Sequence, residues 1–313
     1  MAYQNVATPR FYINDVEWLI TTMDTQSSYR HYHTLPVNPI PYFGQAISPF
    51  SISFLRNKSF IAILGHNGGS YSISTEAYLI PVVNAGSAGA NPDPEYAGFS
   101  ISTFDGSGIS SIKAMGSFTA GSILIGTYYD MTNSPNLNLT LSYEYGGVNE
   151  TTTKNGSTFS NTLYTKPPMW GNLGAWELGD STNQLLSRSG RKSWDLKFSY
   201  ISDSDLWGSN QMLSFNAQSI TETLDYEADD IQDSTGYRYN LLTDDSFFSQ
   251  VWHKTLGGTL PFIFQPDGDG DTPGSGNNNP DQFAICRIAK NSLKATQSAF
   301  NVYDISVTIE EVW

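Results

Sequence analysis

Apolar residues along this chain come in short runs broken by Gly, Pro, Asn and Asp, and no segment sustains a 3.6-residue period. Runs that alternate, or that are rich in β-branched and aromatic residues, read as strands, because successive side chains of a strand point to opposite faces. On that basis strands are expected at Arg10–Ile13, Ser51–Phe54, Phe60–Leu64, Ser70–Ser74 and Tyr78–Val83. Further candidates are Ser122–Tyr129, Asn138–Tyr145, Trp194–Tyr200, Thr259–Phe264, Gln282–Ile288 and Val302–Val312. The best helical pattern is Asp244–Trp252, with acids at its start and Phe247, Phe248 and Val251 on one stripe. Short strands with short connections predict an all-β sandwich or barrel carrying a single short helix.

Composition agrees with this pattern. Hydrophobic residues fill 39% of the 313 positions and aromatics 13%, which supplies a packed interior and argues against global disorder. Ser, Asn, Thr and Gly favour turns and β surfaces over long helices. Two loops punctuate the chain: AGSAGANPDPEYAG at Ala85–Gly98, and a Gly/Asn-rich excursion at 268–280. Composition shifts near residues 98 and 187 bracket a middle section that reads as a domain inserted into a discontinuous one. No repeat of solenoid period is present.

The formal net charge of −14, with a pI near 4.5, opposes binding to nucleic acid or to an anionic membrane. It suits solubility, or docking onto a basic partner. The lone cysteine, Cys286, excludes an intrachain disulfide. Its setting in Phe283-Ala284-Ile285-Cys286 points to a buried structural thiol and to folding in a reducing compartment. The opening MAYQNVATPRFYINDVEW lacks the basic cap and apolar core of a signal peptide, and no run is long enough to span a bilayer. The sequons at Asn57, Asn138, Asn149 and Asn155 then read as chance products of an Asn/Ser/Thr-rich chain.

Candidate chemistry is sparse. Asp267, Asp269 and Asp271 alternate in DGDGD and could wrap calcium, but Thr272 and Asn278 break the EF-hand pattern, so a solvated turn is the commoner outcome. His31 and His33 share a strand face at a zinc-chelating spacing, without a third ligand nearby; His66 and His253 stand apart. No metal site and no cofactor are expected. The acids Glu222, Asp225, Glu227, Asp229, Asp230 and Asp233 crowd one loop-like stretch, whereas glycosidase carboxylates need individually shaped environments. Neither a G-x-S-x-G elbow nor a P-loop occurs, and no catalytic residue is assigned. Trp170 and Trp176 could stack on sugar rings, although tryptophans in β-sandwiches are more often core residues. They are the candidate glycan-stacking residues of a carbohydrate-binding reading.

Several long strings resemble tail-associated structural proteins of tailed bacteriophages. They are GSILIGTYYDMTNSPNLNLTLSYEYGG (121–147), SNTLYTKPPMWG, WELG, SRSGRKSWDLKFSYISDSDLWG (187–208) and the stretch 256–313; the opening RFYINDVEWL is similar in style. Together they cover about half the chain. The resemblance implies a distal tail or baseplate-hub subunit without catalytic residues. Such proteins form rings, often hexameric, in which a β-barrel domain builds the ring and a galectin-like or jelly-roll sandwich faces outward. Here residues 1–98 and 188–313 would form the ring domain and 99–187 the peripheral sandwich. The implied partners are other copies of the chain and tail-tube, hub and fibre proteins, with host glycan as a further ligand. The implied location is the virion tail, after assembly in the bacterial cytoplasm. A capsid decoration protein is the nearest structural alternative, and a glycan-cleaving enzyme the least favoured.

Overall fold

The computed structural model describes residues 6–15, 18, 40–43, 46–47, 57–64, 72–75, 79–81, 99–107, 112–115, 117–120, 122–137, 140–144, 148–162, 169–170, 173–174, 191–207, 245–268, 282–290 and 292–312. The chain is all-β, as its pattern predicts. The first strands are β1 (Arg10–Ile13), β2 (Ile40–Phe43), β3 (Ala46–Ile47), β4 (Ser59–Leu64), β5 (Ser72–Thr75) and β6 (Leu79–Pro81). There follow β7 (Phe99–Phe104), β8 (Ile112–Met115), β9 (Ser117–Ala120), β10 (Ser122–Asp130), β11 (Thr140–Glu144), β12 (Val148–Thr152) and β13 (Thr158–Thr162). The last are β14 (Met169–Trp170), β15 (Leu173–Gly174), β16 (Arg191–Ser202), β17 (Phe262–Gln265), β18 (Ala284–Ile288), β19 (Lys294–Ala299) and β20 (Val302–Glu311).

One antiparallel sheet of ten strands dominates, in the order β11-β16-β20-β18-β17-β1-β10-β4-β7, with β19 added beside β20. Its central strands are apolar on consecutive positions because both faces are covered. Phe11, Ile13, Phe262, Phe264, Ala284 and Cys286 belong to one buried cluster, while Tyr12, Ile263, Phe283 and Ile285 belong to the cluster behind it. Strands β16 and β20 alternate instead. Trp194, Leu196, Phe198, Ile305, Val307 and Ile309 turn into the first cluster, and the residues between them are exposed or half-buried.

The sheet curls. Strands β10 and β16 stand five places apart, about 24 Å in a flat sheet. Yet the Tyr129 hydroxyl of β10 donates to the Asp205 carbonyl just after β16, at 3.2 Å. Between β10 and β11 the chain also meets β16, where the Asn136 N–H donates to the Lys197 carbonyl at 2.7 Å. Inside the curl lie α1 (Asp203–Leu206), capped by the Ser202 hydroxyl, and a π-helix at Phe248–His253. Phe247 and Val251 of the expected stripe are buried against the first cluster, while Phe248 is half-buried; the helical turn winds wider than an α-helix, which buries Ser249 and Gln250 as well.

The expected boundaries at residues 98 and 188 do not separate the strands of the central sheet. Strands β7, β10 and β11 come from 99–187, yet β7 pairs with β4, β10 with β1 and β4, and β11 with β16. A shift in composition records a change in loop chemistry, which long-range strand pairing can cross. Among the described residues of that segment, β8, β9, β12, β13, β14 and β15 lie outside the large sheet.

Candidate functional site

The most active-site-like cluster among the described residues is buried. Lys254 Nζ faces Asp15 Oδ1 at 2.9 Å, with both side chains fully buried. The ammonium also donates to Thr127 Oγ1 at 3.0 Å, and that hydroxyl donates to Asp15 Oδ2 at 2.8 Å. A threonine held between lysine and aspartate resembles an activated nucleophile on paper. All three side chains are buried, however, and the small cavity elsewhere in this part of the sheet, lined by Tyr12, Asn14, Leu124 and Ile263 among others, holds only about 10 Å3. That is at most one water. The network therefore anchors the turn after β1 to β10 and to the segment following the π-helix.

A second buried anchor sits at the other end of β1. Arg10 pairs with Asp130, its register partner, and its guanidinium lies 4.3 Å from the Tyr128 ring. Burial alone would lower the Arg10 pKa, but Tyr12 and Asp130 outweigh it and hold the guanidinium more firmly protonated than usual. Burial, with Asp205 and Asp245 nearby, pushes the Tyr129 hydroxyl above its ordinary range, so it serves as a neutral donor.

The outer surface differs in character. Strands β12 and β13 pair only with each other among the described residues, and nearly every residue from 151 to 160 is exposed. Phe159, 67% exposed, stands on this ribbon. The hairpin closes through Asn155-Gly156, with Gly156 at φ 81, a left-handed position that suits glycine. A second exposed element is β19, which among the described residues pairs only with β20 at the border of the large sheet. All six residues of β19 are exposed, and Phe300 is 87% exposed in the two-residue loop that ends the strand. Phenylalanine is not a turn former, so local backbone chemistry does not explain it there. Beside this loop, a bulge in β16 holds Tyr200 at φ 61 and 81% exposed, and Asp203 N–H donates to the Asn301 carbonyl at 2.9 Å. Leu137, fully exposed, follows the residue bonded to β16. These features leave Phe159, Tyr200, Phe300 and Leu137 as large apolar side chains open to solvent.

The candidates read from sequence fall mostly elsewhere. Trp170 lies in β14, whose backbone pairs with β15, but its ring is outside the described residues, as are Trp176, His31, His33, His66, Asp269, Asp271 and the acids from Glu222 to Asp233. Asp267 is half-buried at the end of the segment after β17. His253 packs its ring 5.2 Å from Phe248, and burial lowers its pKa. Among the described residues no group of three or more His, Cys, Asp or Glu could hold a metal ion. Cys286 is wholly buried in β18, and burial, reinforced by Glu311 and partly offset by Lys192, drives its pKa well up. A thiol reagent should therefore leave Cys286 untouched in the native protein and modify it only at the rate of unfolding. Rapid reaction with a chromogenic disulfide in buffer alone would contradict this burial.

Strands β12, β13 and β19 escaped the pattern reading, because they are mostly polar and show no apolar alternation. The signal that could have found the first two is Asn155-Gly156 between two Thr-rich runs. Compared with protein-family models, curated proteins and solved structures, the chain matches none of them.

Proposed function

We propose that this chain is a non-enzymatic structural subunit of a bacteriophage virion, a distal tail or baseplate ring protein that joins the tail tube to fibres or receptor-binding proteins. The observation that carries the reading is the β12–β13 ribbon. A two-stranded ribbon in water is marginal by itself, and the strand residues of this one whose burial is described, Thr151, Thr152, Thr158, Phe159 and Ser160, are all exposed. In a virion, neighbouring subunits would cover it. The exposed strand β19, with Phe300 in the loop that follows it, offers a second such arm. The tail resemblance of residues 121–147, 187–208 and 256–313 supplies the assembly, and the two arms supply surfaces on which rings of copies and adjoining hub or fibre proteins could close.

The test is the oligomeric state of the purified chain with and without its first arm. The full chain should form a defined closed oligomer by mass photometry, visible as rings by electron microscopy. Replacing 148–162 with a short Gly-Ser turn should yield monomers with an unchanged far-ultraviolet spectrum. A strictly monomeric full chain that also fails to bind tail-tube or fibre proteins would overturn the reading.

A further inference from the structure

The outer face of the β16–β20–β19 unit carries a polar groove of about 440 Å3. Strand register builds its floor. Lys197 lies opposite Ser306, and Ser306 opposite Lys294, so two lysines flank a serine across three strands, their backbones roughly 10 Å apart. In the next row Asp195 lies opposite Thr308 on one side and Thr140 on the other. Ser292 forms a wall, its hydroxyl accepting the Thr308 N–H at 3.2 Å and donating to the Thr308 carbonyl at 3.3 Å.

The charges are unevenly committed. Thr308 Oγ1 donates to Asp195 Oδ1 at 2.6 Å, which fixes the carboxylate and leaves its second oxygen for another donor. On the other side of the lysine row, Asp304 accepts the Tyr200 N–H at 3.3 Å. Lys197 and Lys294, both exposed, make no ion pair among the described residues. A ligand in this groove therefore meets two ammonium donors, the hydroxyls of Ser306 and Thr140, and one oriented acceptor.

We propose that the groove binds an acidic saccharide, its carboxylate on Lys197 and Lys294 and its ring hydroxyls on Asp195, Thr140 and Ser306. A bare phosphate or sulfate would use the lysines but has no hydroxyl to donate to Asp195, whereas a uronic acid uses all the groups. The net charge of −14 repels polyanions at long range, so attachment of an acidic glycan reports this local arrangement rather than general attraction. The inference is independent of ring assembly, because it needs only the described face of one chain.

Saturation-transfer NMR with a glucuronate-containing oligosaccharide, a neutral dextran oligomer and dextran sulfate tests it on the full chain. The uronate oligomer should bind and the neutral oligomer should not. Lys197→Gln with Lys294→Gln should weaken uronate binding at least about tenfold, through loss of charge-assisted hydrogen bonds. Asp195→Asn should weaken it less, without strengthening the neutral oligomer. Lys294→Gln alone, on an exposed strand, serves as the variant least able to disturb folding, and matching thermal midpoints confirm that all variants fold. Equal binding of dextran sulfate and uronate, binding unchanged by the lysine substitutions, or no uronate binding would each overturn the proposal. The mass-photometry result for assembly is read separately and can fail or hold on its own.

Discussion

Replacing Gly126 with alanine should destabilise the chain by about 3 kcal/mol or more, enough to unfold a marginal domain. A Cβ at Gly126 would fall 1.9 Å from the Ile13 carbonyl oxygen and 2.7 Å from the Asp15 nitrogen. Both are backbone atoms, so no rotamer change can clear them. The close approach arises where β1 leaves the sheet. Ile13 opposite Thr127 is its last pair with β10, and the chain then turns into a helical start with Trp18 N–H donating to the Asn14 carbonyl at 3.2 Å. Relieving the clash would lift that turn away from β10. Gly156→Ala is the control: its φ of 81 is strained for alanine, but nothing lies within 4 Å, so only about 1 kcal/mol is expected. Urea unfolding of the two variants decides the matter, and equal losses would refute the close approach as the cause.

Lys254→Met should cost about 3–5 kcal/mol, because it strands a buried carboxylate at Asp15. The double variant Lys254→Met, Asp15→Leu should recover much of that loss, since two apolar side chains can occupy the space without an unpaired charge. Recovery identifies the single-variant loss as the cost of an unpaired charge rather than of lost packing. A single variant as mild as the double would show that the pair carries no such penalty. Gly126→Ala moves the same turn, so its effect in the Lys254→Met background should fall short of the sum.

Alternation makes β16 and β20 legible in the amino-acid sequence, since Trp194, Leu196, Phe198, Ile305, Val307 and Ile309 fill one face. Continuous apolar runs mark β1, β17 and β18 as buried strands, because a sheet covered on both sides has no polar face to alternate with. Ser51–Phe54 falls outside the described residues. Partnership is not legible. Nothing local in RFYI tells it to insert between β10 and β17, a choice made by distant residues such as Gln265, whose Oε1 accepts the Tyr12 hydroxyl at 2.8 Å. The polar strand β19 and the β12–β13 hairpin leave no periodic trace, because burial shapes sequence periodicity and their described residues are exposed. Asp15, Thr127 and Lys254 read singly as surface residues, and only the curl brings them together. The groove is equally hidden, since Lys197, Ser306 and Lys294 become neighbours through register alone.

The position of β1 also dictates a timetable for biosynthesis. Its two neighbours are β10 and β17, so a ribosome that has released Ile13 must still deliver Gln265 before that strand is flanked on both sides. At roughly 5–20 residues per second the interval is about 13–50 s. Throughout it, this apolar strand waits in the nascent chain with at least one edge unsatisfied, and with both until β10 is made, where a holding chaperone would find its natural client.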